Sequence, residues 1–354
     1  MHIVFATGGT AGHIEPALNT ADALIRADPS ITVSFLGGRR GLESTLVPVR
    51  GYEIVTTDAV PLPRRIEPTT LAFPFQVARG VRQAAAHLRH VQASAVVGFG
   101  GYAAVPGYLA ARRTRTPLVI HEANSRPGFA NILGSRFTSH VATVHADALK
   151  GARHLALPIR RSIASVDRGT QRQSARKQWG LDMNAPVVLV FGGSQGSQHL
   201  NEVVAAALDV LAASNIQILH AVGTRNDLPQ QRAGYVPVHY IDHMESAYAA
   251  ADIVVCRSGA MTCAEVTAVG LPAVFIPLPI GNGEQVGNAA AIVEAGGGLL
   301  RADQELTAEW LTDAIVTLVQ NEQQLAQMAT VSASLGERDA DDQLASWIIH
   351  VAHG

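Results

Sequence analysis

The chain has 354 residues, more than a single hydrophobic core usually supports, and this length fits two domains of about 150–200 residues each. Hydrophobic residues make up 47% of the sequence and charged residues 16%, so both cores can be well filled and disorder is not expected. The formal net charge of −2 argues against a nucleic-acid-binding protein, which usually carries a clearly basic domain.

Cys256 and Cys263 are the only cysteines, and they provide neither a disulfide framework nor zinc-ligand spacing. We interpret them as small buried hydrophobic residues in a reducing compartment. The start, MHIVFATGGTAGH, has no basic region followed by a long apolar stretch, so it predicts a first strand rather than a signal peptide. The weakly polar run Ala95–Ala111 is broken by glycine and proline, so we expect a soluble or at most peripheral protein.

In chain order, short apolar runs alternate with longer helical segments, a pattern that predicts α/β domains with buried parallel sheets. The first half has predicted helices at Glu15–Ala27 and Phe75–Val91, and predicted strands at Ile3–Ala6, Thr32–Leu36, Ala95–Gly98, Leu118–His121 and Val141–Val144. The second half has predicted strands at Val187–Phe191, Ile216–Val222, Val236–Ile241, Ile253–Cys256 and Ala273–Pro277.

The polar stretch Ser162–Lys177 has few large apolar residues and predicts an interdomain connection. We therefore expect one domain over residues 1–161 and a second over residues 162–337. The segment 338–354 contains a last predicted helix, Asp341–Ala352, which packs back on the first domain or stays with the second.

Each half opens with a strand, a glycine-rich loop and a helix. The two loops share a Gly-Gly pair, a hydroxyl residue and a further glycine, in IVFATGGTAGH (Gly8 to Gly12) and in VLVFGGSQGSQ (Gly192 to Gly196). Glycines allow a close backbone approach to a ligand, and the following helix offers free N–H groups to an anion. The repeat thus predicts two Rossmann-like domains and a diphosphate ligand.

Neither loop is a P-loop, and neither has the dinucleotide fingerprint Gly-x-Gly-x-x-Gly. The run Gly37-Gly38-Arg39-Arg40 keeps an NADP-binding alternative open, because arginines there could accept a 2′-phosphate. A single cofactor domain does not explain a second matching loop, whereas a nucleotide-sugar does.

Two later segments also fit a nucleotide-sugar. The first, CRSGAMTCAE (Cys256–Glu265), ends a strand and opens a helix, where Glu265 could accept both hydroxyls of a ribose. The second is a Pro- and Gly-rich loop that leads to side chains suited to sugar hydroxyls, namely Asn282, Glu284, Gln285 and Asn288.

The ordered series GGTAGHIEPA, GFGGYAAVPG, HEAN, LPIRR, GGSQGS, CRSGAMTCAE and GNGEQVGNA resembles the bacterial undecaprenyldiphospho-muramoylpentapeptide β-N-acetylglucosaminyltransferases. The resemblance implies the GT-B glycosyltransferase architecture, with two Rossmann-like domains facing across a cleft. It implies inverting transfer of N-acetylglucosamine from UDP-N-acetylglucosamine to the 4-hydroxyl of lipid I, the lipid-linked muramoyl-pentapeptide, giving lipid II and UDP for peptidoglycan synthesis. The N-terminal domain would meet lipid I at the cytoplasmic face of the membrane.

The resemblance also implies the substrate-binding residues, motif by motif. In the N-terminal domain they are Thr10, Ala11, Gly12, Asn124 and Arg160. In the C-terminal domain they are Ser194, Ile241, Ala260, Met261, Thr262, Cys263, Ala264, Glu265 and Gln285. Arg160 and Ser194 would hold phosphate, Ile241 the uracil through its backbone, Glu265 the ribose and Gln285 the N-acetylglucosamine hydroxyls. The GNGEQ run departs from the family's usual pattern, which leaves the roles of Asn282 and Glu284 open.

The acceptor hydroxyl must lose its proton as the new bond forms. His13 directly follows the first loop, and histidine suits a general base at neutral pH. His13 therefore acts either as the base or as a group that orients the substrate. Glu122 is a weaker candidate for the base, and we interpret His121 as structural.

Metal-dependent glycosyltransferases of another type use Asp-x-Asp, and the one match is Asp339-Ala340-Asp341. It opens the last predicted helix, where acids favour the helix dipole, so we interpret it as a capping sequence. We expect no required metal and no other cofactor, because helix N-termini and Arg160 can stabilise the departing UDP.

A basic and apolar segment predicts docking on anionic lipid. Its arginines are Arg64, Arg65, Arg79, Arg82 and Arg89, against the single acid Glu67, and its apolar residues are Leu71, Phe73, Phe75, Val77 and Val81. An ordinary solvated helix face is the alternative. Other cell-wall synthesis proteins are candidate partners.

Three alternative functions remain open on the residues alone. Two are enzymes of the same architecture: a UDP-sugar 2-epimerase, which would need extra acids around the anomeric centre, and a different lipid glycosyltransferase. The third is a non-catalytic nucleotide-sugar-binding protein.

Overall fold

The computed structural model describes residues 1–39, 41–60, 72–280 and 282–354. The chain divides into two compact units. The first comprises Met1–Arg160 together with Asp339–Gly354, and the second comprises Arg161–Arg338. The boundary expected after residue 161 lies beside this division, and the C-terminal helix lies in the first unit.

The first unit is a parallel β-sheet with helices on both faces. Its elements are β1 His2–Thr7, α1 Ala11–Ala27, β2 Thr32–Gly38, α2 Glu43–Val49, β3 Glu53–Thr57, α3 Phe73–His90, β4 Ala95–Gly100, α4 Val105–Thr114, β5 Leu118–Glu122, α5 Phe129–Gly134, β6 Val141–Thr143, β7 Arg153–His154 and, from the end of the chain, α14 Ala340–His353. Among the described residues the strand order is β3-β2-β1-β4-β5-β6-β7. The order changes direction between β1 and β4, the position at which open α/β sheets bind ligands.

The second unit repeats this plan. Its elements are α6 Arg161–Ala164, α7 Arg168–Trp179, β8 Val187–Phe191, α8 Gln198–Ala213, β9 Gln217–Ala221, β10 Tyr235–Val238, α9 Met244–Ala250, β11 Ile253–Cys256, α10 Ala260–Val269, β12 Ala273–Phe275, α11 Glu284–Glu294, β13 Gly298–Leu300, α12 Ala308–Gln320 and α13 Glu322–Ser334. The described strands follow the order β10-β9-β8-β11-β12-β13, with all pairs parallel. Here the change of direction falls between β8 and β11.

Strand β1 shows why a central strand has apolar residues at successive positions, here Ile3–Ala6. Phe5 points into a core layer with Ile14 and Leu18 of α1, while Val4 points into the opposite layer with Tyr108 of α4. Successive side chains of a strand point to opposite faces, so a strand covered on both faces must be apolar throughout. The prediction of two Rossmann-like α/β domains is confirmed.

Each predicted strand is present, with ends shifted by a few residues. Strands β3, β7 and β13 were not predicted, nor were helices such as α2 and α4, whereas α1, α3, α8, α10 and α14 correspond to predicted helices. The three strands lie at the outer edges of their sheets, are two to five residues long, and none has more than two large apolar residues. Their pattern therefore carries little of the signal that marks a buried strand.

The expected interdomain connection at Ser162–Lys177 is wrong, because this stretch forms α6 and most of α7, and α7 packs against α9 in the second unit. Arg176 explains how so polar a sequence can pack. Its side chain is fully buried, donates to main-chain carbonyl oxygens and pairs with Asp252 at 2.7 Å. An arginine can be buried when its donors all meet acceptors.

The terminal helix α14 packs its apolar side chains into the core layer of α1. Its Asp-x-Asp sequence was expected to cap the helix, and this needs correction. Asp339 stands at the N-cap position without a capping side-chain hydrogen bond. Asp341 is buried and pairs with Arg26 at 2.6 Å, so it ties α14 to α1.

No helix among the described residues combines the length and the apolar character needed to cross a membrane.

Candidate functional site

In each unit the predicted site residues lie in loops and helix starts that follow the carboxyl ends of the strands. The first glycine loop joins β1 to α1 and lies against the turn after β4. A Cβ atom at Gly101 of that turn would lie 2.0 Å from the carbonyl oxygen of Gly8, and Gly101 has φ +80°. Only glycine fits this position, because both the space and the dihedral angle exclude a side chain.

A buried carboxylate lies under the first loop. Glu43, the first residue of α2, has no exposed surface. Its Oε2 accepts the backbone N–H of Gly9 at 2.9 Å, and its Oε1 accepts that of Gly38 at 2.8 Å. The amide of Gly9, in a loop expected to approach a diphosphate, is therefore bonded to the protein's own carboxylate. The sequence interpretation missed Glu43.

His13 lies in the first turn of α1 and is half-buried. Its Nδ1 lies 3.0 Å from Oγ1 of Thr10, so two predicted site residues hold each other. His13 lines a cavity of about 460 Å³ that is otherwise mostly apolar, with Phe73, Tyr102, Val105, Leu109 and Phe129 among its walls. The cavity places the imidazole where a bound group could reach it.

Glu122 is buried at the end of β5 and is fully engaged by its own loop. Oε1 accepts the N–H of Asn124 at 2.9 Å, and Oε2 accepts the N–H of Gly128 at 3.0 Å and the amide of Asn131 at 2.9 Å. Both carboxylate oxygens are thus already bonded to groups of the segment that follows β5. The geometry favours a role in positioning Asn124 over the role of a base.

His121 fits its structural interpretation. Its Nε2 lies 3.1 Å from the carbonyl oxygens of Leu155 and Ala156. Burial lowers the pKa of His121 to about 4, so the ring is neutral at physiological pH.

Arg160, expected to hold phosphate, forms a two-point ion pair with Glu15 of α1. Nε lies 3.2 Å from Oε2, and Nη2 lies 3.2 Å from Oε1. Both side chains are partly exposed, at 25% and 16%. The pair fixes the guanidinium beside the helix that carries His13, and Glu15 is a second residue that the sequence interpretation missed.

The second glycine loop follows β8, and the loop after β9 donates hydrogen bonds to its carbonyl oxygens. The carbonyl oxygen of Ser194 accepts from the N–H and the hydroxyl of Thr224, each at 3.3 Å. The carbonyl oxygen of Gln195 accepts from the amide of Asn226 at 3.0 Å. Within the described residues no carboxylate bonds the amides of this loop, and Ser194 is exposed. The second loop can therefore bind an anion, whereas the amide of Gly9 in the first loop is already bonded to Glu43.

Arg257 connects the loops of the second unit and was also missed. Its side chain is about 10% exposed and bonds Ser197 Oγ at 2.6 Å and Asp303 Oδ1 at 2.5 Å. It also donates to the carbonyl oxygens of Ile276 and Pro277, at 3.1 and 3.2 Å. The loops after β8, β11, β12 and β13 are thus joined through one guanidinium.

The remaining predicted residues of the second unit cluster around α10. Ala260 to Glu265 form its first turns, and Glu265 accepts the hydroxyl of Tyr248 at 2.9 Å. Asn288 of α11 donates to the carbonyl oxygen of Ser258, so α10 and α11 are joined. Gln285 accepts the N–H of Leu278 at 2.9 Å, which holds the loop after β12. Ile241 is buried after β10.

In the part of the chain that the structure describes, no three His, Cys, Asp or Glu side chains are grouped to hold a metal ion. The expectation that turnover needs no metal stays a prediction.

The basic and apolar segment is partly described. On α3, Phe75 is 79% exposed, Arg82 and Arg89 are exposed, and Arg79 pairs with Asp58 at 2.8 Å. A shallow cavity of about 560 Å³ is lined by residues of α3 and α4, among them Phe73, Val77, Val81, Arg82, Leu109 and Arg113. Arg64, Arg65, Glu67 and Leu71 lie outside the described residues, as does Arg40.

Known proteins resemble this chain over nearly its whole length. Residues 3–143 match the N-terminal domain of glycosyltransferase family 28, and residues 187–344 match the C-terminal domain of that family. The UDP-N-acetylglucosamine–N-acetylmuramyl-(pentapeptide) pyrophosphoryl-undecaprenol N-acetylglucosamine transferase of Streptomyces avermitilis is 52% identical, over 98% of both chains. The transferase of the same name from Thermobifida fusca is 50% identical, over 100% of this chain and 95% of its own.

Solved structures agree with this assignment. The crystal structure of Acinetobacter baumannii MurG matches with a TM-score of 0.80 and 29% identity, over 99% of both chains. A UDP-GlcNAc 2-epimerase from Neisseria meningitidis matches with a TM-score of 0.69 but only 12% identity, so it shares the fold alone. The chain therefore belongs to glycosyltransferase family 28 and, within it, to the N-acetylglucosaminyltransferases that its ordered motifs indicate.

Proposed function

We propose that the protein transfers N-acetylglucosamine from UDP-N-acetylglucosamine to the 4-hydroxyl of lipid I, releasing UDP and forming lipid II. The observation that carries the proposal is the similarity, over nearly the whole chain, to transferases whose name states a UDP-N-acetylglucosamine donor and a lipid-linked muramyl-pentapeptide acceptor. The motif residues support it, because they follow the carboxyl ends of the strands in both units.

The donor is assigned mainly to the second unit, and Arg160 of the first unit would add a phosphate contact. Ser194 and the open glycine loop would hold phosphate, the first turn of α10 would direct its free N–H groups toward the nucleotide, and Glu265 would accept the ribose hydroxyls. Tyr248 already donates to one carboxylate oxygen of Glu265, which orients it. Gln285, fixed by Leu278, would meet the sugar hydroxyls.

The first unit is assigned to the acceptor. The oxygen of the acceptor's 4-hydroxyl attacks the anomeric carbon, the bond from that carbon to the β-phosphate oxygen breaks, and UDP leaves with the electron pair. His13 takes the hydroxyl proton or orients the hydroxyl, with its ring held by Thr10. Because the new bond forms opposite the leaving group, the anomeric configuration inverts.

The departing UDP is stabilised by helix N-termini and cationic side chains, so we expect no metal requirement. Turnover measured in excess EDTA should equal turnover in buffer without added metal. Loss of turnover in EDTA, restored by magnesium, would contradict this prediction.

We further propose that the protein acts at the cytoplasmic face of the membrane through α3, α4 and the segment between β3 and α3. Phe75 is highly exposed beside the exposed arginines of α3, a combination suited to anionic lipid. The double variant Phe75→Asp, Arg82→Glu should bind less to vesicles of anionic lipid in a flotation assay. The matched variant Val210→Asp, on an exposed position of α8 in the second unit, should bind like wild type. Equal binding by all three proteins would refute the patch.

The reaction itself is tested with labelled UDP-N-acetylglucosamine and a lipid I analogue. We expect a labelled disaccharide product and an equal amount of free UDP. Conversion of the donor to its 2-epimer without an acceptor would favour the epimerase alternative, and donor binding without any turnover would favour a binding protein.

A further inference from the structure

We propose that Glu43 is a positioning residue for the transfer reaction. Its carboxylate accepts the backbone N–H of Gly9 in the first glycine loop. It thereby sets the position of the segment from Thr10 to His13. The inference rests on the proposed function, because it assigns Glu43 a role in that reaction.

The first step of the argument is the hydrogen bonding. Both carboxylate oxygens accept a backbone N–H, from Gly9 at 2.9 Å and from Gly38 at 2.8 Å. The side chain is fully buried. Two acceptor oxygens facing two N–H groups are the pattern that an ionised carboxylate satisfies. One side chain therefore joins the loop after β1 to the end of β2.

The second step is the space around the carboxylate. Four glycines surround Glu43, and at three of them a Cβ atom would come within 2.6 Å of its side chain: Gly8 at 2.4 Å, Gly37 at 2.6 Å and Gly41 at 1.8 Å. A buried side chain held by two hydrogen bonds does not move aside easily. These glycines therefore accommodate an internal carboxylate, which gives Gly8 of the first loop a purpose other than a phosphate.

The third step is the difference between the two loops. The second loop is held through its carbonyl oxygens by Thr224 and Asn226, whereas the first is held through an amide. A negative charge at Gly9 repels a second anion at the same amide. Glu43 thus keeps phosphate away from Gly9 and fixes the loop whose next residues are Thr10 and His13.

The experiment compares Glu43→Gln and Glu43→Ala with wild type. We expect kcat to fall by ~10- to 100-fold, because misplacement of a reacting group by about 1 Å has effects of that order. The dissociation constant of UDP, measured by calorimetry, should stay unchanged, since Ser194 and Arg160, the residues assigned to phosphate, lie outside the loop that Glu43 holds. Added formate should raise the kcat of Glu43→Ala in a saturable way, because a free carboxylate can occupy the vacated space. Chloride at equal ionic strength should not.

Asp341→Asn is the matched control, since Asp341 is a buried carboxylate of the same unit that pairs with Arg26. It should lower thermal stability and leave kcat at the wild-type value. A kcat of wild-type size in folded Glu43→Gln and Glu43→Ala would overturn the proposal, as would a loss of UDP affinity equal to the loss of kcat.

Hydrogen exchange separates this proposal from the proposed function. Without any substrate, the amides of residues 8–12 and 37–43 should exchange faster in Glu43→Gln, and those of residues 192–197 should not change. If wild type transfers no sugar, the proposed function fails while the exchange result still decides whether Glu43 orders the first loop. Unchanged exchange in residues 8–12 would refute that ordering.

Discussion

Replacing His13 by alanine is expected to lower kcat by ~10²- to 10⁴-fold, the range typical for loss of a general acid–base group. The affinity for UDP should remain that of wild type, because His13 is not among the residues assigned to the uracil, the ribose or the phosphates. The measurement is kcat with a lipid I analogue, together with calorimetric binding of UDP. A fall in kcat with intact UDP binding places His13 at the acceptor side of the reaction.

His13→Gln distinguishes a base from an orienting group. A glutamine amide can hydrogen-bond a hydroxyl but cannot take its proton at neutral pH. If His13 is the base, Gln should be as poor as Ala, and the acid limb of the pH–rate profile should disappear. If His13 only orients, Gln should recover much of the activity and the acid limb should remain.

Thr10→Val is the companion variant, because Thr10 Oγ1 lies 3.0 Å from His13 Nδ1. Valine keeps the shape but removes the hydroxyl, so we expect a smaller loss of kcat than in His13→Ala. Near-normal turnover of His13→Ala would exclude the residue from the chemistry, whatever Thr10→Val shows.

The glycine-rich loops show what the sequence can and cannot predict. Both were found from the strand, glycine and helix pattern, and with them the two-domain fold, because that pattern is local in the chain. The resemblance also gave the loops different roles, with Ser194 of the second loop on phosphate and His13 after the first loop on the acceptor hydroxyl. What the sequence does not predict is the contact between Gly9 and Glu43, 34 residues apart, because it depends on how β1, β2 and α2 pack and leaves no local signal.

The burial of two arginines is a second feature that the sequence did not predict. Arg176 and Arg257 look like surface residues in the sequence, yet each is buried in a set of carbonyl and carboxylate acceptors supplied by other elements. Polar composition suggested a connection at α7, and the segment CRSGAMTCAE was interpreted through Glu265 and a ribose, without a role for Arg257. Burial of an arginine is decided by acceptors that the chain brings together on folding, so only the structure reveals it.

The same reasoning predicts a large loss of stability when Arg257 of the second unit is removed. Arg257→Ala is expected to lower the free energy of unfolding by ~3–5 kcal/mol, because it removes the guanidinium from a largely buried carboxylate. The other oxygen of that carboxylate has, among the described ion pairs, only a contact of 3.3 Å to Nδ1 of His199. Asp303, the partner, is only 12% exposed, and Ser197 Oγ and two carbonyl oxygens lose a donor as well. Urea unfolding followed by circular dichroism measures the change.

Arg232→Ala is the control for charge removal, because Arg232 pairs with Asp209 at an exposed position. The side chain of Arg232 is 43% exposed and that of Asp209 is 89% exposed. Exposed pairs contribute about 0–1 kcal/mol, so this variant should unfold almost like wild type. Arg257→Lys keeps the charge next to Asp303 but has one nitrogen where arginine has several, so it cannot bond Ser197 and both carbonyl oxygens together. We expect it to lie between wild type and Arg257→Ala.

The affinity for the donor then tells whether Arg257 and the groups that it bonds serve binding as well as folding. Arg257 joins the glycine loop, through Ser197, to the chain that leads from Pro277 to Gln285. If Arg257 positions both the glycine loop and Gln285, Arg257→Lys should bind UDP-N-acetylglucosamine more weakly at a temperature where it is fully folded. It should also lose more affinity for the intact donor than for UDP alone. Equal losses for the two ligands would limit the effect to the glycine loop, and wild-type affinity for both would make Arg257 a residue of stability only.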